Sequence, residues 1–188
     1  MPINQKEMYL KDIRRLPLYN FFVQRLKNMY WMEQQWKGLL SRLKTNTSHA
    51  GMESLIDEYA SKVSIYHSRL GRIFEILEEE PAAIILDEAT GIIRKINALE
   101  AEENTSLKDL KIVMLLRLIV HTQIAYYDHL NALAEILGLE EICGLFNSTL
   151  IDSTGTDALL STLSRTSVNL RALNAPLLQH VVEDFPAA

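Results

Sequence analysis

Between Leu107 and Gly138, apolar or semi-apolar residues recur at Ile112, Leu115, Ile119, Thr122, Tyr126, Leu130, Leu133 and Leu137. Steps of three and four are the period of an amphipathic helix and do not fit the alternation of a strand. The stretch holds no proline and opens after Asn104-Thr105-Ser106, whose side chains can cap it. Gly138 stops it, as a glycine able to take the left-handed conformation would. The same rhythm marks two long helices upstream. One runs over about 18–44 through Phe22, Leu26, Met29, Tyr30, Trp36, Leu39, Leu40 and Leu43. The other covers about 50–79 through Met52, Leu55, Ile56, Tyr59, Val63, Tyr66, Leu70, Ile73, Phe74 and Leu77. A weaker segment at 82–102 carries Ile85, Ala89, Ile92, Ile93, Ile96 and Leu99. A fourth long helix restarts at Leu139 and continues to about Ser164, with Gly155 as a soft turn.

Four long helices, with one lengthened connection between the second and third, describe an all-α four-helix bundle with a crossover carrying a short helix. That is the ferritin-like topology. The pattern divides the chain into an N-terminal extension (1–17), the bundle (18–165) and a C-terminal tail (166–188). Pro17 interrupts a short helix over 3–15, because the residue before a proline disfavours the α region. Pro176 likewise breaks the tail, which retains an amphipathic piece with Leu177, Leu178, Val181 and Val182. Residues 1–16 and 168–188 are expected to contribute little to the core.

Composition narrows the function. The chain has 188 residues, enough to bury one sizeable core, and a formal net charge of −5. No basic stripe stands out, so a nucleic-acid phosphate binder is not expected; Arg14 and Arg15 read as a solvated face. The single Cys143 excludes an intramolecular disulfide and a cysteine-based zinc site, and reads as a small buried hydrophobe. Sequons at Asn46, Asn104 and Asn147 matter only on a secretory route, and the opening residues lack an apolar leader. A cytoplasmic protein is therefore expected. The most apolar run, Ile112 to Val120, is broken by Arg117, so no membrane span is expected.

Three stretches carry a resemblance. The run Phe22-Val-Gln-Arg-Leu-Lys-Asn-Met-Tyr-Trp-Met-Glu-Gln-Gln resembles the opening helix of the YciE/YciF-type ferritin-like proteins. Arg69-Leu-Gly-Arg-Ile-Phe-Glu-Ile-Leu is similar to their second-helix motif R-L-x-x-I/V-F-x-x-L. The stretch from Tyr127 to Leu139 is similar to their Y-x-x-L-x-A-L-A-x-x-L-G-L. Together they cover residues 20–165 in the family's order. The resemblance implies a bundle whose inward carboxylates and histidines hold two metal ions, since two divalent cations need about four carboxylates for charge balance. Here Glu33 matches the first-helix glutamate. The second-helix pattern H-L-E-E-T-x-x-H becomes Tyr59-Ala-Ser-Lys-Val-Ser-Ile-Tyr66, placing Lys62 and Tyr66 where acid and imidazole are expected. The third-helix E-H-Y-E becomes Val120-His121-Thr122-Gln123, and the fourth-helix D-E-E-K-x-x-D keeps two acids at most, Asp152 and Asp157.

The retained ligand set is Glu33, His121, Asp152 and Asp157, too few acids for two metals. A lysine among carboxylates supplies charge that a metal would otherwise supply. The expectation is an interior polar cluster of Glu33, Lys62, Tyr66, His121, Gln123 and Asp157, in which Lys62 points inward and pairs with Glu33. No cofactor and no catalytic residue is expected. The resemblance then implies a non-enzymatic bundle with a vestigial metal site, a structural or partner-binding role in bacterial stress, and pairing as a homodimer. The alternatives are an iron- or manganese-dependent redox or peroxide-handling protein using the reduced ligand set, and a small-molecule binder that uses the aromatic centre of the bundle as a pocket between helices.

Overall fold

A computed structural model describes residues 5–174. The described elements are α1 (Gln5–Ile13), α2 (Pro17–Asn46), α3 (Ala50–Leu77), α4 (Asp87–Asn97), α5 (Thr105–Ile136), α6 (Glu140–Leu163) and α7 (Asn169–Leu173). A 3₁₀ turn (Ala98–Ala101) follows α4, and a π turn (Ser164–Val168) joins α6 to α7. No strand occurs among the described residues. α2, α3, α5 and α6 form the bundle, with α2 and α6 each packed on both α3 and α5. Thr47 and Ser48, after the end of α2, bond Asp109 near the start of α5, whereas Glu33 bonds Gln123 and Tyr127. α5 therefore runs antiparallel to α2, and residues 78–104 cross the length of the bundle.

The crossover is fixed by polar groups at both ends. Asn28 Nδ2 donates to the carbonyls of Ile84 and Ile85, at 3.1 Å each, while Leu86, Ala89, Ile96 and Leu99 are buried. Where the α2–α3 turn meets α5, the buried Asp109 carboxylate accepts from both Thr47 and Ser48 hydroxyls and from the Ser48 backbone. His49 caps α3 by accepting the Met52 N–H at Nδ1 and bonds Ser167 of the π turn through Nε2. This arrangement ties the start of α3 to the end of α6.

The termini depart from expectation. Leu10 and Ile13 of α1 are buried in the bundle core, and so is Val168. The reason is that α1 covers two helix ends whose carbonyls lack intrahelical partners. Tyr9 donates its hydroxyl to the Leu137 carbonyl at the end of α5. Arg14 donates to the Leu77 carbonyl at the end of α3 and reaches Glu78 and Glu79, whose charges would otherwise oppose the helix dipole. The amphipathic piece expected at Leu177–Val182 lies outside the described residues.

α5 is also longer in its apolar character than the sequence reading allowed. By length and composition alone it is apolar enough to cross a membrane. In this fold it is a bundle helix that buries Asp109, Gln123 and Asn131, with Arg117 held by Asp157. Asp109, Gln123 and Arg117 take their partners from other segments of the fold, and Asn131 donates to Glu135 on α5 itself.

Candidate functional site

The bundle centre is organised around Glu33 of α2, which is fully buried. Its stripe neighbours Met29, Met32 and Trp36 also face inward, so the carboxyl group has no path to water along its own helix. Partners come from α5. Gln123 Nε2 donates to both Glu33 oxygens at 2.9 Å, and the Tyr127 hydroxyl donates to Oε1 at 2.9 Å. Tyr59 of α3 closes the chain by donating its hydroxyl to Gln123 Oε1. That bond fixes the amide orientation, since the oxygen of Gln123 is used by Tyr59 and its nitrogen is left for Glu33.

Burial dominates the electrostatics. It pushes Glu33 up to about 8, against the opposing pull of the Tyr127 and Gln123 hydrogen bonds. At neutral pH the carboxyl group therefore holds its own proton, the usual outcome when a buried acid lacks a cation. Burial likewise pushes the Tyr59 and Tyr127 phenols well above their usual value, with the Glu33 charge acting in the same direction. Tyr66 is raised to about 12, again chiefly by burial, and its ring packs edge-on against Tyr127 with centroids 6.2 Å apart. Its hydroxyl and that of Ser153 are buried and make no hydrogen bond of acceptable geometry among the described residues.

The other expected members lie elsewhere. Lys62 does not reach Glu33; its ammonium sits 2.7 Å from Glu58, one turn earlier on α3, and donates to Thr156 at 3.2 Å. The position is on the margin of the α3 stripe, and its long stem holds the ammonium, partly buried, between Glu58 and Thr156 at the edge of the core. His121 is more than half exposed and bonds Asp157, which also receives Arg117 Nε at 2.9 Å. Burial is the largest single influence on Asp157, yet the Arg117 and His121 contacts outweigh it and lower its pKa. Asp152 pairs with Arg69 at 2.8 Å. The four candidate ligands Glu33, His121, Asp152 and Asp157 thus occupy three separate places. Of the expected interior cluster, the structure brings together Glu33 and Gln123, with Tyr66 alongside; Lys62, His121 and Asp157 belong to the rim.

A di-metal centre does not fit these residues. The groups on Glu33 are an amide nitrogen and one phenol that donate hydrogens, and among the described residues no three of His, Cys, Asp and Glu converge. The facing surface of α6 offers only the small hydroxyls of Thr149, Ser153 and Thr156, all buried. Tyr59 and Tyr127 stood outside the expected cluster: an aromatic at these positions reads as helix packing, Tyr59 on the α3 stripe and Tyr127 one position off the stripe assigned to α5. The stripe assigned to α5 was also turned slightly. Thr122 and Tyr126 are half-exposed, and the buried line passes through Gln123 and Tyr127 instead.

Fold and site define an all-helical crossover bundle with a carboxyl–amide–phenol cluster at its centre. The chain belongs to the family described as "Domain of unknown function (DUF892)", whose model matches residues 18–173. It is 28% identical over 158 residues to Protein YciF of Escherichia coli K12, covering 81% of this chain and 93% of that protein. The crystal structure of the E. coli stress protein YciF superposes with a TM-score of 0.76 at 23% identity, over 81% of this chain and 97% of that one. YcfI from Rhodopseudomonas palustris, whose description proposes a structural role for it, gives 0.75 at 20% identity, over 78% and 94%. These matches bear out the YciE/YciF-type resemblance and the helical-bundle fold.

Proposed function

We propose that this protein is a non-enzymatic, ferritin-like bundle with a structural or partner-binding role in bacterial stress, acting as a cytoplasmic homodimer. In this reading a hydrogen-bonded, protonated Glu33 replaces the di-metal centre. The stress context is carried over from the relative described as a stress protein. The observation that carries the reading is the donor set on Glu33. Both carboxyl oxygens accept from Gln123, one also accepts from Tyr127, and the charge is removed by a proton. The acids that resemble ligands have arginine partners, Arg69 for Asp152 and Arg117 for Asp157, so their charge is balanced without a metal. Metal binding would require Glu33 to lose its proton and Gln123 to surrender its bonds.

Elemental analysis of protein purified without chelator tests this. Well under one iron, manganese or zinc per chain is expected. Two metals per chain would overturn the reading and restore the redox alternative. Light scattering on the same sample checks the dimer, for which twice the chain mass of 21.5 kDa is the expected result.

A further inference from the structure

α5 is packed by α6, α2 and α4, yet one line along it stays open. From Leu107 to Ala132, exposed residues recur in alternating steps of four and three. That is the 3.5-residue spacing of a coiled-coil seam, where one helix meets another. Met114, 52% exposed, stands on this line between a groove of about 530 Å³ toward the π turn and one of about 240 Å³ toward α4. Leu107 and Leu118 also stand out from the surface. A seam of this spacing, left exposed by its own bundle, is short of a helix.

We infer that two copies of the chain pair on this seam, α5 of each lying antiparallel to α5 of the other about a twofold axis between Ile119 and Val120. The inference rests on the homodimer reading and adds the surface and the register to it. A second copy is favoured as the occupant because the seam complements its own reversal, as a twofold interface requires. Outward from the axis, Leu118 meets the partner's His121, and Met114 meets the partner's Ala125. Further out, Lys111 meets the partner's Asp128 and Leu107 meets the partner's Ala132. Two layers therefore set a large apolar side chain against an alanine, and a third sets a base against an acid. Each layer occurs twice by symmetry, so the pair gains two Lys111–Asp128 contacts. Lys111 is shared with Glu102 but half-exposed, and Asp128 is exposed with no ion pair among the described residues. A slip of one heptad in either direction loses this match, because it brings Lys111 against the partner's His121 or Leu118 against the partner's Asp128. At about 1.5 Å per residue the contact runs for roughly 38 Å.

Two full-length single-cysteine chains test the register, both carrying Cys143→Ser, one with Met114→Cys and the other with Ala125→Cys. The two cysteines face each other across the pair, whereas each lies about 16 Å along the axis from its own counterpart. Mixed, left to exchange subunits and mildly oxidised, the chains should give a disulfide-linked dimer on a non-reducing gel; neither should do so alone. Equal cross-linking by either chain alone would overturn the inference. So would no cross-link in the mixture while the wild type scatters as a dimer, a result that leaves the homodimer reading standing. A wild type that scatters as a monomer would overturn both. Charge reversal gives a second readout that misfolding cannot imitate. Lys111→Glu should raise the dimer Kd by about tenfold in sedimentation equilibrium, and adding Asp128→Lys should restore it. A Kd that Lys111→Glu leaves unchanged, or that Asp128→Lys fails to restore, would overturn the inference.

Discussion

Replacing Glu33 with glutamine should change the pH dependence of stability more than stability itself. The unfolded glutamate loses its proton near 4.5, whereas the folded one keeps it to about 8. Between those values the native state binds one more proton than the unfolded state, so stability falls as pH rises. The contribution is fully present below the unfolded value and is lost on passing through the folded one. At about 1.4 kcal/mol for each factor of ten in acidity, the span amounts to roughly 5 kcal/mol, an upper bound since water entry would reduce it. Glu33→Gln removes this titration. Its amide nitrogen inherits no ready acceptor, because Gln123 presents its own nitrogen to that position. A cost of about 1–3 kcal/mol is therefore expected at pH 5. On going to pH 8.5, the wild type should lose roughly 4 kcal/mol relative to the variant, so their order reverses near neutrality. Urea denaturation followed by circular dichroism across that range, with chelator present, measures both curves, and titrations common to both chains cancel. Stability curves that stay parallel to within about 0.5 kcal/mol would refute a buried neutral acid at position 33.

Two further substitutions separate rim from core. Lys62→Met should alter stability by no more than about 1 kcal/mol, because its partner Glu58 is exposed; thermal denaturation showing a larger loss would mean Lys62 serves the interior after all. Leu10→Ala removes a buried contact of α1 with the bundle and should cost about 2–3 kcal/mol, with early tryptic cleavage at Arg14 or Arg15. A variant as resistant to trypsin as the wild type would show that α1 does not depend on this anchor.

The bundle was legible because its signal is repeated. Each long helix carries several turns of apolar spacing, and Asn104 and Gly138 mark the ends of α5 with side-chain and left-handed caps. The docking of α1 was hidden, since it depends on two carbonyls, those of Leu137 and Leu77, which exist only once α5 and α3 have ended nearby. Glu33 and Gln123 were visible as polar residues in apolar surroundings. Their partners were not, because a phenol on a buried stripe has the same spacing whether it packs or donates. Lys62 shows the opposite failure. Charge balance alone suggested that it should meet Glu33, but a four-carbon stem at a stripe margin can point either way, and Glu58 lies one turn away with water around it.

Charge in this bundle is handled differently at the rim and at the centre, and the difference follows from desolvation. Asp152 and Asp157 are reached by water, so an arginine from a neighbouring helix stabilises the ionised form at little cost. Glu33 has no such access, and a cation brought beside it would itself lose its hydration. Hydrogen bonds from neutral groups avoid that second penalty, and a proton removes the first. Gln123 is oriented by Tyr59, which holds its oxygen and leaves the amide nitrogen facing Glu33. Tyr59, Gln123 and Glu33 consequently lock α3, α5 and α2 to one another through a single uncharged chain of bonds. A centre of that kind specifies how the helices are registered, because each bond in the chain joins a different pair of helices.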